Sequence, residues 1–402
     1  MKDASGKADA LTRRKFTAVD LFCGAGGLSE GFKQSGFSIR AANDFDSLAA
    51  ETFKLSHPTT PFLVGPIQDI STEALLESAG LAEGELDVLI GGPPCQAFSV
   101  YNHQRGMHDE RSGLFRQYLR IVEGLMPRFV VMENVTGITS VAEGRAVDEI
   151  YKNLESLGFH VDHKILKAEE FGVPQERRRI FFVGSRDTES LEWPTPTHGM
   201  PAKTMDLFDQ PKNRKRLLPP VTVNDAISDL PPLQISEGEE ESKYTSKPQG
   251  DYQKAMRAES ETLFNHVAPF LSDINLSRLK HIPQGGSWRD IPFDLLPCGM
   301  KRAKRSDHTK RYGRLHPDGL CCTVLTKCDL HWGSYIHPTQ ERSLTVREAA
   351  RFQSFPDHIR FAGARGEQFR QVGNAVPPLL ALAVAKCVAK MLRSSSRILE
   401  SV

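Results

Sequence analysis

Leu86-Asp87-Val88-Leu89-Ile90-Gly91-Gly92-Pro93-Pro94-Cys95-Gln96-Ala97-Phe98-Ser99 is the stretch from which the rest of the chain is read. It opens with a short apolar run, rich in branched residues and stopped by two glycines, which predicts a buried parallel strand. It continues into a loop at the strand's carboxyl end, where α/β sheets bind their ligands. Two prolines fix φ and remove two backbone donors, and Gly91 and Gly92 permit a tight exit, so the Cys95 thiol is expected to be held in one place. On these residues alone Cys95 is either a positioned nucleophile or a small buried hydrophobe.

Upstream, Thr17–Phe22 predicts a strand, Cys23-Gly24-Ala25-Gly26-Gly27 a glycine loop, and Leu28 to about Ser35 a helix, which is how a nucleotide-binding α/β unit begins. Ser29 stands where the third glycine of the dinucleotide fingerprint would be, so a pyrophosphate is not the obvious ligand. A second strand, Ser38–Ala42, runs into Asn43-Asp44-Phe45. There Asp44 can accept from ribose hydroxyls and Phe45 can stack on an adenine, although an exposed loop carboxylate and a core ring are the commoner fates of such residues. Asp69, before Ile70-Ser71, is a third candidate at a strand end. An adenosine ligand without a clamped diphosphate points to S-adenosylmethionine.

Downstream, Gly113–Met126 has helical spacing, and Arg128–Met132 predicts a buried strand ending in Glu133-Asn134-Val135. That places a carboxylate at the end of a strand expected to neighbour the Cys95 strand. A helix (Ala146–Leu157) and a strand (His160–Leu166) precede Gln175-Glu176-Arg177-Arg178-Arg179 and the strand Ile180–Gly184. Strand alternation would bring Arg177 and Arg179 to one spot and turn Arg178 away. From Trp193 to about Gln340 the sequence is irregular and punctuated by proline, which marks a smaller unit in which Tyr312–Leu315 and Thr323–Thr326 could be strands. Regular character returns at Arg342–Gln353, where Thr345 and Glu348 form a capping box, and ends with a helix over Leu379–Leu392.

The net charge of +1 over 402 residues does not announce a nucleic-acid binder. The distribution says more: Lys301, Arg302, Lys304, Arg305, Lys310, Arg311 and Arg314 crowd one stretch, whereas Glu237, Glu239, Glu240 and Glu241 form an acidic run. A basic stretch is commonly a solvated face, and it is also what phosphate contact requires. Seven cysteines without a signal segment suit reduced thiols in the cytoplasm. Cys321, Cys322, Cys328 and His331 lie close together without a C-x-x-C pair, so no metal is expected. No run of about eighteen apolar residues is present, so no membrane span is expected. Residues 1–16 read as a disordered lead-in.

These motifs resemble the cytosine-C5 DNA methyltransferase family, of the bacterial restriction-modification type. Asp20–Gly27 is similar to its cofactor loop, Gly92–Ser99 to its nucleophile loop, Glu133-Asn134-Val135 to its carboxylate motif and Gln175–Arg179 to its arginine motif. Arg342–Gln353 and Gly373-Asn374-Ala375-Val376 match its last two motifs, in the family's order. The resemblance implies an α/β fold: a doubly wound, Rossmann-like sheet built from 17–190 plus 341–393. Residues 191–340 would be a smaller, irregular target recognition domain, and 394–402 a tail. It implies Cys95, Glu133, Arg177 and Arg179 as catalytic residues. Phe22, Gly24, Gly27, Asp44, Phe45, Asp69 and Asn374 would line the S-adenosylmethionine site. Asp44 departs mildly from the family, which often has Glu there, and Phe45 stands where a larger aromatic is common.

The implied reaction explains the residue types. C5 of cytosine is a poor nucleophile until something adds to C6, and a thiolate suits that addition. C6 is shielded within a stacked duplex, so the base must be flipped out. The implied partners are double-stranded DNA and a cognate restriction endonuclease acting on the same site, with a monomer as the default. Rival readings are a tRNA cytosine methyltransferase and a catalytically silent DNA-binding module. The long insert favours duplex DNA over tRNA, and intact Cys95, Glu133, Arg177 and Arg179 count against silence.

Overall fold

The computed structural model describes residues 15–94, 113–199 and 217–399; the predicted lead-in to residue 14, and Cys95 with its loop to residue 112, lie outside them. Seven strands form one sheet: β1 (Thr17–Leu21), β2 (Ser38–Asp44), β3 (Phe62–Val64), β4 (Val88–Gly91), β5 (Phe129–Asn134), β6 (His160–Lys167) and β7 (Arg178–Ser185). Their order is β3-β2-β1-β4-β5-β7-β6. β1 pairs in parallel with both β2 and β4, β4 with β5, and only β7 runs antiparallel to its neighbours. The chain therefore winds outward from β1 to β3, then returns to β4 and winds the other way. The crevice at such a reversal lies over the carboxyl ends of β1 and β4.

The helices are α1 (Gly27–Gln34), α2 (Ser47–Ser56), α3 (Thr72–Ala79), α4 (Leu114–Leu125), α5 (Arg145–Ser156), α6 (Val223–Ile227), α7 (Asp251–Arg257), α8 (Asp273–Leu279), α9 (Val346–Phe352), α10 (Arg365–Asn374) and α11 (Pro378–Leu399). Helices cover both faces of the sheet, which is why its central strands β1, β4 and β5 are buried throughout. Phe129 and Val131 of β5 and Phe181 and Val183 of β7 face α1 and α11, packing with Phe32, Val384 and Val388. Val130, Met132, Ile180 and Phe182 face the other way, against Tyr118 and Ile121 of α4 and Ile150 of α5. The ordered body begins by Phe16, whose ring lies 5.9 Å from that of Phe37.

By length and composition alone the stretch Arg365–Ser396 could cross a membrane. Yet Leu380, Val384, Val388 and Leu392 of α11 are buried in the sheet core, so this is a core helix. It also outlasts the expected end at Leu392. The hydroxyls of Ser394, Ser395 and Ser396 bond back to the carbonyls of Lys390, Met391 and Leu392, and the helix absorbs what read as a polar tail.

The apolar packing divides the carboxyl-terminal third at a different place from the motif boundaries. Val223, Ile227, Leu263, Leu315, Val324 and Tyr335 of the insert share one core with Leu344, Ala349, Phe352 and Phe369, so α9 and α10 pack with the insert and α11 packs with the sheet. An outer cluster of Leu271, Leu279, Ile282, Trp288, Tyr312 and Leu330 lies beyond it. The acidic run is not a loop: it forms β8 (Gly238–Lys243), antiparallel to β9 (Thr262–Val267). Conversely, Tyr312–Leu315 and Thr323–Thr326 are not regular strands. Their backbone bonds go to scattered segments, Arg314 N to Gly286 O and Leu315 N to Ile336 O, so no ladder builds up.

α9 is short and buried at every position, and electrostatics hold it as much as apolar packing. Thr345 and Glu348 make the expected capping box. Glu348 also takes both forks of the buried Arg342, at 2.9 and 2.6 Å, and these contacts hold its carboxyl far below the usual range despite burial. Arg351, fully buried, spans Asp229 of the insert at 2.9 Å and Asp357 at 2.6 Å.

α1 meets α11 so closely at Gly31 that a Cβ there would stand 2.4 Å from the Ala381 Cβ and 2.6 Å from Leu382 N. Gly31→Val is expected to cost about 1–3 kcal/mol through overpacking, read as a lowered urea midpoint with unchanged slope.

Candidate active site

Three successive left-handed bends turn the chain off the end of β1: Phe22 at φ 55°, Gly24 at φ 53° and Gly26 at φ 84°. For Phe22 that conformation is uncommon and costs strain. The Gly24 amide donates to Asp44 Oδ2 at 2.8 Å, while Asp44 Oδ1 accepts from Asp46 N at 2.9 Å. Asp44 thus braces the glycine loop from the end of β2, and burial raises its pKa. Phe45 beside it is 67% exposed, so it is not the core ring that its residue type suggests. Ser29, in place of a third glycine, donates its amide and hydroxyl to Asp20 Oδ2 at 3.1 and 2.6 Å. Burial pushes Asp20 up to about 7.

The other wall comes from the far end of the chain. A Cβ on Gly27 would lie 2.2 Å from Val376 O, so the glycine loop and the segment after α10 are in backbone contact. Asn374 closes α10 with its side chain exposed. Asp69 is not at a strand end: it finishes the 3₁₀ turn Ile67–Asp69, beyond β3, and is exposed. Pro66 sets that turn by opening it in an extended conformation.

Glu133 and Asn134 end β5, next to β4. An ideal Cβ on Gly92 would lie 3.1 Å from Glu133 Oε2, so a larger residue there would crowd this carboxylate. Asn134 Nδ2 donates to Pro93 O at 3.0 Å, pinning that loop two residues before the cysteine. Arg179 Nε lies 2.8 Å from Glu133 Oε1. Burial raises the Glu133 pKa, and Arg179 and Arg177 oppose it; the net direction is up, so its protonated form persists to higher pH than in an ordinary glutamate.

Arg177 and Arg179 do converge on Glu133, and Arg178 points out to solvent. Their surroundings differ. Arg177 is 1% exposed and its forks bond the carbonyls of Val324 (3.1 Å), Gly373 (2.9 Å) and Ala375 (3.0 Å). It ties three segments together behind the site through its two terminal nitrogens, while Arg179 holds the carboxylate. Gln175 reinforces the tie: Nε2 donates to Gln353 Oε1 at 2.8 Å and Oε1 accepts from Val324 N at 2.8 Å. Gln353 in turn donates to Val372 O at 2.7 Å.

Sequence reasoning quotes Asn134, Gln175 and Gln353 but assigns them no task. Their signal is a polar amide inside an otherwise apolar or charged motif, which predicts a buried hydrogen-bonding task. In the basic stretch, Lys301, Arg302, Lys304, Arg305 and Lys310 are exposed. Arg314 is not: it is buried with its guanidinium on Leu279 O, Ile282 O and Glu341. Cys321, Cys322 and Cys328 lie in the insert's apolar core.

The C-5 cytosine-specific DNA methylase family profile matches residues 16–390. The chain is 35% identical to the type II methyltransferase M.AgeI of Thalassovita gelatinovora, over 92% of this chain and 98% of that protein. It is 33% identical to M.DdeI of Desulfomicrobium norvegicum, over 92% and 87%. A crystal structure of a prophage-encoded E. coli protein described as a DNA modification methyltransferase superposes with a TM-score of 0.71 at 25% identity, covering 94% of this chain and all of that one.

Asn134→Ala strips the buried Pro93 carbonyl of its donor. A stability loss of about 1–3 kcal/mol is expected, measured by urea unfolding.

Proposed function

The chain belongs to the C-5 cytosine-specific DNA methylase family, and from that membership we propose how its residues divide the work. It is a DNA (cytosine-5)-methyltransferase. The relatives named above do not favour the tRNA alternative. The observation that carries the residue assignment is the Glu133 carboxyl, buried against Gly92 at the mouth of the Cys95 loop and gripped by Arg179.

In our reading a cytosine swung out of the duplex enters with its N3 and N4 edge on Glu133. The Cys95 thiolate adds to C6, and Glu133, whose pKa burial raises, donates a proton to N3 as charge builds on the ring. Electron density moves to C5, which takes the methyl group. Loss of the C5 proton and β-elimination then restore the aromatic ring and release Cys95. Arg179 orients Glu133, and Arg177 holds the wall formed by Val324, Gly373 and Ala375.

Family membership implies S-adenosylmethionine as methyl donor, and the crevice fits it. The exposed Phe45 ring offers a face for adenine, and Gly24 meets no atom within 4 Å of an added Cβ, leaving open space above the loop. Phe22, Gly24, Gly27, Asp44, Phe45 and Asn374 line this crevice, with Asp69 at its rim. Bound there, the cofactor would supply a methyl group activated on a sulfonium. We read the insert as the target recognition domain, its exposed Lys301, Arg302, Lys304 and Arg305 serving the phosphates of duplex DNA. A monomer acting in the cytoplasm, beside a restriction endonuclease of the same specificity, completes the proposal; the type II relatives support it.

Wild-type protein given labelled S-adenosylmethionine should methylate a mixed-sequence duplex and not tRNA. Bisulfite mapping should place 5-methylcytosine in one short sequence, and Cys95→Ser should transfer nothing above background. Label in tRNA alone would overturn the reading. The raised Glu133 pKa gives a second prediction. The donor works below its pKa, so kcat should fall as pH rises through it. Arg179→Ala removes a cation that pulls this pKa down, and should move the falling limb to higher pH while lowering kcat by roughly 100-fold or more.

A further inference from the structure

Arg311 stands apart from the other cations of the basic stretch. Lys310 reaches Glu176 at 3.4 Å, Arg305 the Arg289 carbonyl at 2.9 Å, and Lys301 the Asp294 carbonyl at 3.3 Å. Arg302 and Lys304 are exposed. Arg311 is half-buried, and among the described residues its guanidinium has no hydrogen-bond acceptor; what it has is the ring of Trp332, 5.3 Å away. Trp332 is 52% exposed, so the pair presents a cation beside an indole to solvent. Its guanidinium nitrogens are not buried, so their donors face solvent and are open to a ligand's acceptors.

Its backbone is held on both sides. Arg311 O accepts from Trp288 N at 3.0 Å, Arg311 N donates to His308 O at 2.9 Å, and Tyr312 N donates to Leu330 O at 2.7 Å. Next along, a Cβ on Gly313 would lie 2.0 Å from Ser334 Oγ, so the segment packs closely against Ser334. Trp332 is set by its own amide on Asp329 O at 3.0 Å. The segment also abuts the Glu133 site: Lys310 and Thr323 both bond Glu176, three residues before Arg179.

We propose that Arg311, laid against Trp332, reads a guanine of the target sequence through its O6 and N7. The inference rests on the DNA-methylating reading above. A phosphate needs only a mobile positive charge, which the exposed lysines supply. A guanine edge needs a planar fork held in place, and among the cations of this stretch that description fits Arg311, with its backbone bonded on both sides and its guanidinium over the Trp332 ring.

The test maps methylation by bisulfite on a library of duplexes with randomised sequence, for wild type, Arg311→Ala and Trp332→Ala. Preference for one guanine should relax by roughly 5- to 150-fold in Arg311→Ala, and in the same direction in Trp332→Ala, with the other positions unchanged. Wild-type enzyme on duplexes carrying 7-deazaguanine at each guanine in turn should lose activity at that position alone; this arm decides the matter even if a variant does not fold. An unchanged target, with uniformly weaker binding and a shallower salt dependence, would make Arg311 a phosphate contact and overturn the inference, as would insensitivity to 7-deazaguanine throughout. If wild type makes no 5-methylcytosine in DNA, the functional reading falls and takes this one with it.

Discussion

A buried guanidinium must find acceptors, and Arg177 finds them on parts of the chain about 150 and 200 residues away, at Val324, Gly373 and Ala375. Leaving a charge of this kind unpaired costs several kcal/mol, so the three segments have to meet wherever Arg177 is buried. The rest of the site depends on that meeting. Gly373 carries no side chain because the Leu325–Thr326 backbone crosses it at 2.4 to 2.5 Å from where a Cβ would be. Gln175 and Gln353 close the same junction with neutral amides. Once it is closed, Val376 lies against Gly27, and the crevice over β1 acquires its second wall.

On the other side of Glu133 the constraint is space rather than charge. Gly92 spares the carboxylate a close Cβ contact, and Asn134 holds the Pro93 carbonyl beside it. Glu133 is then caught between burial, which favours its protonated form, and Arg179, which favours the carboxylate. That balance is what a group needs if it is to donate a proton to a ring and take it back. The two arginines of one motif consequently serve different links of the chain of cause: Arg177 acts on packing, Arg179 on chemistry.

Buried ion pairs around α9 accompany the apolar core it shares with the insert, and Arg351 with Asp229 is the pair that crosses to the insert. Arg342, Arg347 and Arg351 are all fully buried, and Asp229, Glu348 and Asp357 answer them. Such pairs do not outbid well-packed hydrophobes in stability, but they tolerate only one arrangement.

Much of this protein is determined by its sequence alone, because the signals are local. The branched apolar run stopped by glycine after Ile90 and the short run before the glycine loop at Gly24 make buried strands; Thr345 with Glu348 caps a helix; the ordered motifs from Asp20 to Val376 identify the chemistry. Glu133 beside the Cys95 strand and the convergence of Arg177 with Arg179 follow from strand order and alternation. Other features were decided only by tertiary structure, since they depend on partners distant in sequence. Nothing near Arg314 says that it is buried under Glu341 while Arg311 stays free, and nothing in four consecutive acidic positions with one gap says that they pair with β9. The serines after Leu392 read as a tail until their hydroxyls fold back on α11. Asp69 moved off a strand end because Pro66 opens a turn there. Whether a polar side chain is a surface group or a buried tie depends on which carbonyls the fold brings within about 3 Å of it, and no window of neighbouring residues contains that information.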